Sequence, residues 1–509
     1  MGENHERNTE IMIFMDFMGC MGSGGRGQVM SRSKGRGGRG QVMSRSKESG
    51  GRIGKKSRKA MIAALAGTIA LSMAGCNGVG TASTKQTMDV TVDATQSADG
   101  EAMNMSSEFT EETGTEIKPQ ETATPEPTPS AEEIYAEMVE LSLMYEGNYA
   151  RIQKVLEKLR AGEEITLGIL GGSVTEGAGA GSNDKGYAYQ FVDALAEAYA
   201  ANGREQIKYV NAGLSGTPSV LGLMRYQQDI VAPLGEDPDL LIIEFAVNDW
   251  QEATNGRAYE SMVYEALSAK EDAAVICLCS VAKTGWNTQE SYLTIAKHYQ
   301  IPIVSLKKAV FTPKNEMRVP ASQYFMDDYH PKYFGHQLTK DCLMNLFAKA
   351  DEAEAAEPAE IPAEAVKGRD FTGLVQVDSK NPVKGMKTGS FCETDAKIVT
   401  EYFTKAAAFP NNFYHPAGSK NDPLTMKVNC KKIIVNFKTA NDKTFGKADF
   451  YIDGKLVSTA DGYSGGGWNN CNVLLVLDEK EAATHTLEVK MAEDSLDKAF
   501  TIFSISYAE

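Results

Sequence analysis

Four short polar blocks of this 509-residue sequence hold side chains able to carry acyl chemistry. They are Gly171-Gly172-Ser173-Val174-Thr175-Glu176-Gly177, Asn211-Ala212-Gly213, Asn248-Asp249-Trp250 and Asp327-Asp328-Tyr329-His330-Pro331. A serine on a glycine-flanked turn from strand to helix can project its hydroxyl, and the N–H groups opening that helix point at incoming negative charge. Such a hydroxyl is a weak nucleophile until a base takes its proton. His330 can be that base, and Asp327, three residues before it, can face the same point and orient the imidazole. Gly213 is expected to offer an unobstructed backbone N–H and Asn248 a side-chain amide. With the Ser173 N–H they would form a three-donor oxyanion hole, each donor worth about 2.7–4 kcal/mol in the transition state.

Other chemistries fit these blocks poorly. No Gly-x-Gly-x-x-Gly opens the helix at Ser173 and no Gly-Lys-Ser/Thr follows, so the phosphate-loop pattern is not met. With six histidines, no His-Glu-x-x-His and no paired Cys-x-x-Cys, no metal is expected, and no cofactor is implied. Asp249 is expected to anchor its own turn, and His336 to be structural on the helix after Gly335.

The blocks must be positioned by the elements around them. Apolar runs at 165–170, 207–210, 240–246, 273–278 and 301–306 alternate with helically patterned stretches. That alternation predicts successive βα units and a parallel sheet covered on both faces. In such sheets ligands bind beyond the carboxyl ends of the strands, where the polar blocks lie. Gly172-Ser173 with Gly177, Gly213, Asn248-Asp249 and Asp327-x-x-His330 resemble the four blocks of the SGNH/GDSL hydrolases, in that family's order, over roughly 145–350. Gly172 departs from the resemblance, because Asp is common there. The resemblance implies a three-layer α/β/α sandwich with Ser173 as nucleophile, His330 as base and Asp327 as its orienter. It also implies an oxyanion hole of Ser173, Gly213 and Asn248.

Beyond an Ala/Glu/Pro-rich linker at 351–369 the apolar period becomes two. Strands are expected at 432–439, 448–452, 455–459, 472–477, 484–491 and 500–507, with a tight hairpin at Asp453-Gly454. Residues 370–509 therefore read as an antiparallel β-sandwich, either a carbohydrate-binding module or a structural appendage. The three tryptophans, Trp250, Trp286 and Trp468, fall in expected loops. They are candidate platforms for sugar rings, although loop indoles also serve local packing. Cys277 and Cys279 are expected to face opposite sides of a buried strand and stay unbonded. Among Cys392, Cys430 and Cys471 a disulfide is left open.

The front of the chain differs in material. Residues 1–75 carry 13 Lys and Arg against 5 Asp and Glu, a net of +8, whereas 76–509 carry −24. Lys55, Lys56, Arg58 and Lys59 precede an apolar run at 60–74, then Gly75 and Cys76. This is a secretory signal in form. It resembles the bacterial lipoprotein signal, with Cys76 as the acylated residue and Met73 where Leu is usual; an ordinary signal peptide is the alternative. Upstream, 22–34 and 35–47 repeat almost identically, either as a basic tail or as the product of an early translation start. Residues 77–130, rich in Thr, Ser, Glu and Pro, read as an acidic tether.

The parts describe a lipid-anchored protein on the extracellular side of a bacterial membrane. The acidic balance argues against a nucleic-acid partner. The expected activity is that of a serine esterase removing acyl groups, acetyl foremost, from a polysaccharide or oligosaccharide. A lipase or lysophospholipase of the same family, and a non-catalytic carbohydrate-binding surface lipoprotein, are the alternatives. Oligomeric state is left open.

Overall fold

The computed structural model describes residues 129–509; the expected signal stretch, the repeat, Cys76 and the tether lie outside the described residues. Six strands form the first sheet: β1 (Leu143–Tyr145), β2 (Ile165–Gly171), β3 (Ile207–Gly213), β4 (Leu240–Glu244), β5 (Ala274–Cys279) and β6 (Ile303–Ser305). Their order is β1-β6-β5-β4-β2-β3. β2 to β6 run parallel, and β1, a three-residue strand absent from the sequence reading, pairs antiparallel with β6. Every residue of β2, β4 and β5 is buried, as a sheet covered on both faces requires.

The helices that matter here are α1 (Ala150–Ala161), α2 (Ser173–Glu176), α3 (Tyr187–Tyr199), α4 (Ser219–Tyr226), α5 (Arg257–Ala269), α6 (Gln289–Tyr299) and α7 (Tyr333–Glu352). Strand side chains alternate between faces. Ile165, Leu167 and Ile169 pack with Ile152 of α1, Phe191 of α3 and Phe347 of α7. Leu170, Leu241 and Ile243 pack with Val220 of α4, Met262 of α5 and Ile295 of α6. Cys277 and Cys279 both belong to this second layer, so the expectation of opposite faces is corrected: residues two apart on a strand share a face. Both thiols are free.

The C-terminal region is an all-antiparallel sheet of β7 (Val375–Val377), β8 (Phe413–His415), β9 (Leu424–Ala440), β10 (Lys447–Ile452), β11 (Lys455–Asp461), β12 (Trp468–Met491) and β13 (Phe500–Ala508). The expected strands at 472–477 and 484–491 are two halves of β12, with a shift of register between Asp478 and Ala483. Asp453 and Gly454 join β10 to β11 with φ of 52° and 79°, the tight turn their identities favour. Phe391, Phe413, Leu424, Phe450 and Phe500 fill this region's own core.

A second apolar layer joins the two regions. The cluster of α4, α5 and α6 continues without a break into Phe371, Leu374, Ile398, Val399, Phe409 and Phe503. Past α7, the segment expected as a linker lies along the first region. Glu260, fully buried on α5, accepts the N–H groups of Val366 at 2.7 Å, Gly368 at 2.9 Å and also Lys367. Arg257 then pairs with Asp370 at 2.9 Å and Asp478 at 2.7 Å, and Lys432 reaches both of those carboxylates at 2.6 Å.

Candidate functional site

β2 ends at Gly171, Gly172 leaves in an extended conformation, and Ser173 begins the single turn of α2. Helix-opening N–H groups have no intrahelical acceptor, so the Ser173 N–H is left for an acceptor outside the helix. Ser173 is 6% exposed. Its Oγ lies 2.9 Å from His330 Nε2, and His330 Nδ1 lies 2.7 Å from Asp327 Oδ2. The other Asp327 oxygen accepts the N–H groups of Tyr329 and His330, both at 2.8 Å. Burial alone would raise the Asp327 carboxyl, but these bonds outweigh it and bring the group down to about 2. A carboxylate so held keeps the proton on Nδ1 and turns the Nε2 lone pair toward the serine. The three residues named from the sequence thus meet in one chain of hydrogen bonds.

Asn248, the residue expected to offer a side-chain amide, lies against the turn that carries the serine. Its amide packs beside the residue before the serine: a Cβ at Gly172 would stand 2.4 Å from Asn248 Oδ1 and 3.2 Å from Nδ2. Any larger residue at 172 would displace the amide, which is the physical reason for glycine there. Asn248 Oδ1 is buried without a hydrogen-bond partner.

Gly213 requires a correction. Its N–H is not unobstructed; it donates to Asn211 Oδ1 at 2.9 Å, while Asn211 Nδ2 donates to the Thr175 carbonyl at 2.8 Å. A Cβ at 213 would fall 2.2 Å from the Glu176 nitrogen, so the residue packs against α2. Three residues on, Gly216 takes φ of 70° in the same turn. No hydrogen bond from its N–H occurs among the described residues.

Several supporting side chains were not singled out from sequence. Glu176 is buried at the end of α2, where burial pushes its carboxyl up and hydrogen bonds from Ser215 and Tyr402 oppose the shift. Glu244, at the end of β4, is fully buried and its carboxyl is likewise raised by burial. It accepts the Thr175 hydroxyl at 3.1 Å and the Ser280 hydroxyl. The signal for both was a carboxylate inside an otherwise small or apolar stretch. Asp249 does not anchor its own turn: it accepts the Ser219 N–H and the Tyr292 hydroxyl, both at 2.7 Å, and so ties α4 to α6. His336 is structural as expected. Burial lowers it to about 4, and its ring bridges the Tyr187 N–H and the Ala178 carbonyl.

The tryptophans divide. Trp250 and Trp286, following β4 and β5, form a tilted pair with centroids 5.3 Å apart, and Trp250 is 57% exposed. Trp468, from the start of β12, lies separately against the Gly216 turn, its ring 3.1 Å from where a Cβ at 216 would be. Beside it, Phe403 packs on Gly177 and the Tyr402 N–H reaches Glu176. The C-terminal region therefore forms part of the wall around Ser173. Among the described residues, no three His, Cys, Asp or Glu side chains converge as a metal-ligand set.

Residues 169–338 match the model of the GDSL-like Lipase/Acylhydrolase family, so the chain carries a GDSL-type hydrolase domain. The crystal structure of a two-domain esterase active on acetylated mannans shares the fold more widely. It is 24% identical with a TM-score of 0.63, over 73% of this chain and 99% of that one. A structure described as the same type of esterase co-crystallized with mannopentaose gives 23% identity and a TM-score of 0.62, over 73% and 98%. No curated protein matches the chain.

Proposed function

We propose that the chain is a serine esterase that removes acyl groups, acetyl foremost, from a neutral polysaccharide. The observation that carries this reading is the position of His330, 2.9 Å from the Ser173 hydroxyl and 2.7 Å from the Asp327 carboxylate. Ser173 Oγ attacks the ester carbonyl as its proton passes to His330 Nε2, and Asp327 stabilises the imidazolium without taking the proton. The carbonyl oxygen, now negative, is met by the Ser173 N–H and the Asn248 amide. Gly216, rather than Gly213, supplies the third donor in this reading. Collapse of the tetrahedral intermediate returns the His330 proton to the sugar alkoxide. Water, deprotonated by the same imidazole, then releases the acid from Ser173.

Support for the carbohydrate comes from the fold shared with an esterase active on acetylated mannans, and from Trp250, Trp286 and Trp468 near the site. Indole faces stack on the apolar faces of pyranose rings. The net −24 of residues 76–509 suits a neutral polymer better than an acidic one. Export and acylation at Cys76 remain part of the proposal on the sequence pattern alone, and labelling with a radioactive fatty acid, lost in Cys76→Ala, checks it.

The decisive experiment is acetate release from acetylated mannan, xylan, pectin and peptidoglycan, with wild type beside Ser173→Ala. Release from a polysaccharide by wild type alone supports the reading. Equal release by both would remove Ser173 from its role. Release of fatty acid from a lysophospholipid, with none from glycans, would replace the substrate class.

A further inference from the structure

The Glu176 carboxyl takes no part in the reaction just described, yet it is 7% exposed and fully engaged. Oε2 accepts the Ser215 hydroxyl at 2.5 Å, and Oε1 accepts the Tyr402 N–H at 2.6 Å. A buried carboxylate is costly to desolvate unless its oxygens are satisfied. Here every bond that satisfies it comes from outside α2. One of them comes from the Ser215 hydroxyl, which ties α2 to the turn that follows β3. The next residue is Gly216, whose left-handed φ of 70° sets the direction of the turn.

We infer that Glu176 is a positioning residue, holding the 213–217 turn so that the Gly216 N–H meets the developing oxyanion. Its second anchor, Tyr402, belongs to the C-terminal region, so docking of that region completes the donor set. The inference rests on the esterase reading and extends it to how the oxyanion donors are kept in register. Donors must stand within about 2.7–3.1 Å of the oxyanion to stabilise it. With α2 and the turn clamped by one side chain, the hydroxyl that attacks and the N–H that stabilises move as one body.

The test uses the full chain with an acetylated chromogenic ester, and wild type and Ser173→Ala as references. Glu176→Ala is expected to lower kcat by about a hundredfold, the loss that follows removal of one oxyanion donor, with KM within about threefold of wild type. Glu176→Gln, which keeps the volume and one acceptor oxygen, should fall between them. A merely structural role would lower Tm and leave kcat of the folded protein unchanged. Should Glu176→Ala fail to fold, Ser215→Ala decides, with a kcat loss of about tenfold expected from one lost hydrogen bond to a charged group. A kcat within about threefold of wild type in the folded variant, or a loss confined to KM, overturns the inference. If wild type is active and Ser173→Ala is not, that failure leaves the esterase reading standing; if wild type is inert, both fall.

Discussion

The two sheets of this protein bury their strands in opposite ways. In the first sheet the strands are short, the central ones are buried under helices, and the parallel strands β2 to β6 end on the same edge. In the antiparallel region β9 and β12 run for 17 and 24 residues, bend at register shifts, and put their own apolar sides into a core of phenylalanines. The first design concentrates chemistry at one edge, because every strand delivers its following residue there. The second has no such edge, and it reaches the site by loops instead, through Tyr402, Phe403 and Trp468. In the proposed reading the chemistry belongs to the strand edge, and segments of the antiparallel region dock beside it.

Breaking the strand edge should have the largest effect. Ser173→Ala is expected to lower kcat on an acetyl ester by at least about 10⁴-fold, as loss of a triad member does, with no change in the melt. At the seam, Phe371→Ala removes a fully buried ring and should cost about 3–5 kcal/mol of stability. Calorimetry sharpens the comparison there: both sheets should melt in one transition, and two separated transitions would show that the shared layer does not couple them. In the loops, Trp468→Ala should raise KM on an acetylated polysaccharide by several-fold, the size of one aromatic contact. A small chromogenic ester should be hydrolysed as before, and an equal change on both substrates would assign Trp468 to packing. In the hairpin of the antiparallel region, Gly454→Ala forces a side chain to φ of 79°, costing roughly 1 kcal/mol with activity intact.

The pH dependence tests the strand edge again. Asp327 is held near 2 against an ordinary value of 3.8. Because the folded value is the lower one, the partners of this carboxylate add stability above about pH 4, and that contribution is lost as pH falls toward 2. Thermal melts of wild type and Asp327→Asn should therefore draw together between pH 4 and pH 2. A gap that stays constant would mean that His330 and the Tyr329 N–H contribute nothing to holding it.

Much of the strand edge was legible because a short apolar run followed by glycine, serine or asparagine leaves few alternatives. Ser173, His330 and Asp327 came from residue type and order, and the structure joins them by hydrogen bonds. Gly213 shows the limit. Sequence can place a glycine in a turn, but whether its N–H is open depended on the rotamer of Asn211 two residues earlier. β1 escaped notice because three partly buried residues carry no period. β12 was split in two because its register shift falls in a run of charged residues, Asp478 to Glu481, that reads as a loop. The seam was invisible for a different reason: Ile398, Val399 and Phe409 announce that they will be buried, but not against which partner.

That seam has a consequence for how such a protein can be assembled or rebuilt. Three N–H groups of the connecting segment on Glu260, two ion pairs from Arg257 across the seam and one unbroken apolar layer mean that residues 370–509 are not a cassette. Grafted onto a different hydrolase, they would bring half of an oily interface and no surface to receive it. Exchange of the accessory half between enzymes of this kind would have to carry α4, α5 and α6 with it. Inheritance and engineering alike should treat the two sheets as a single heritable unit.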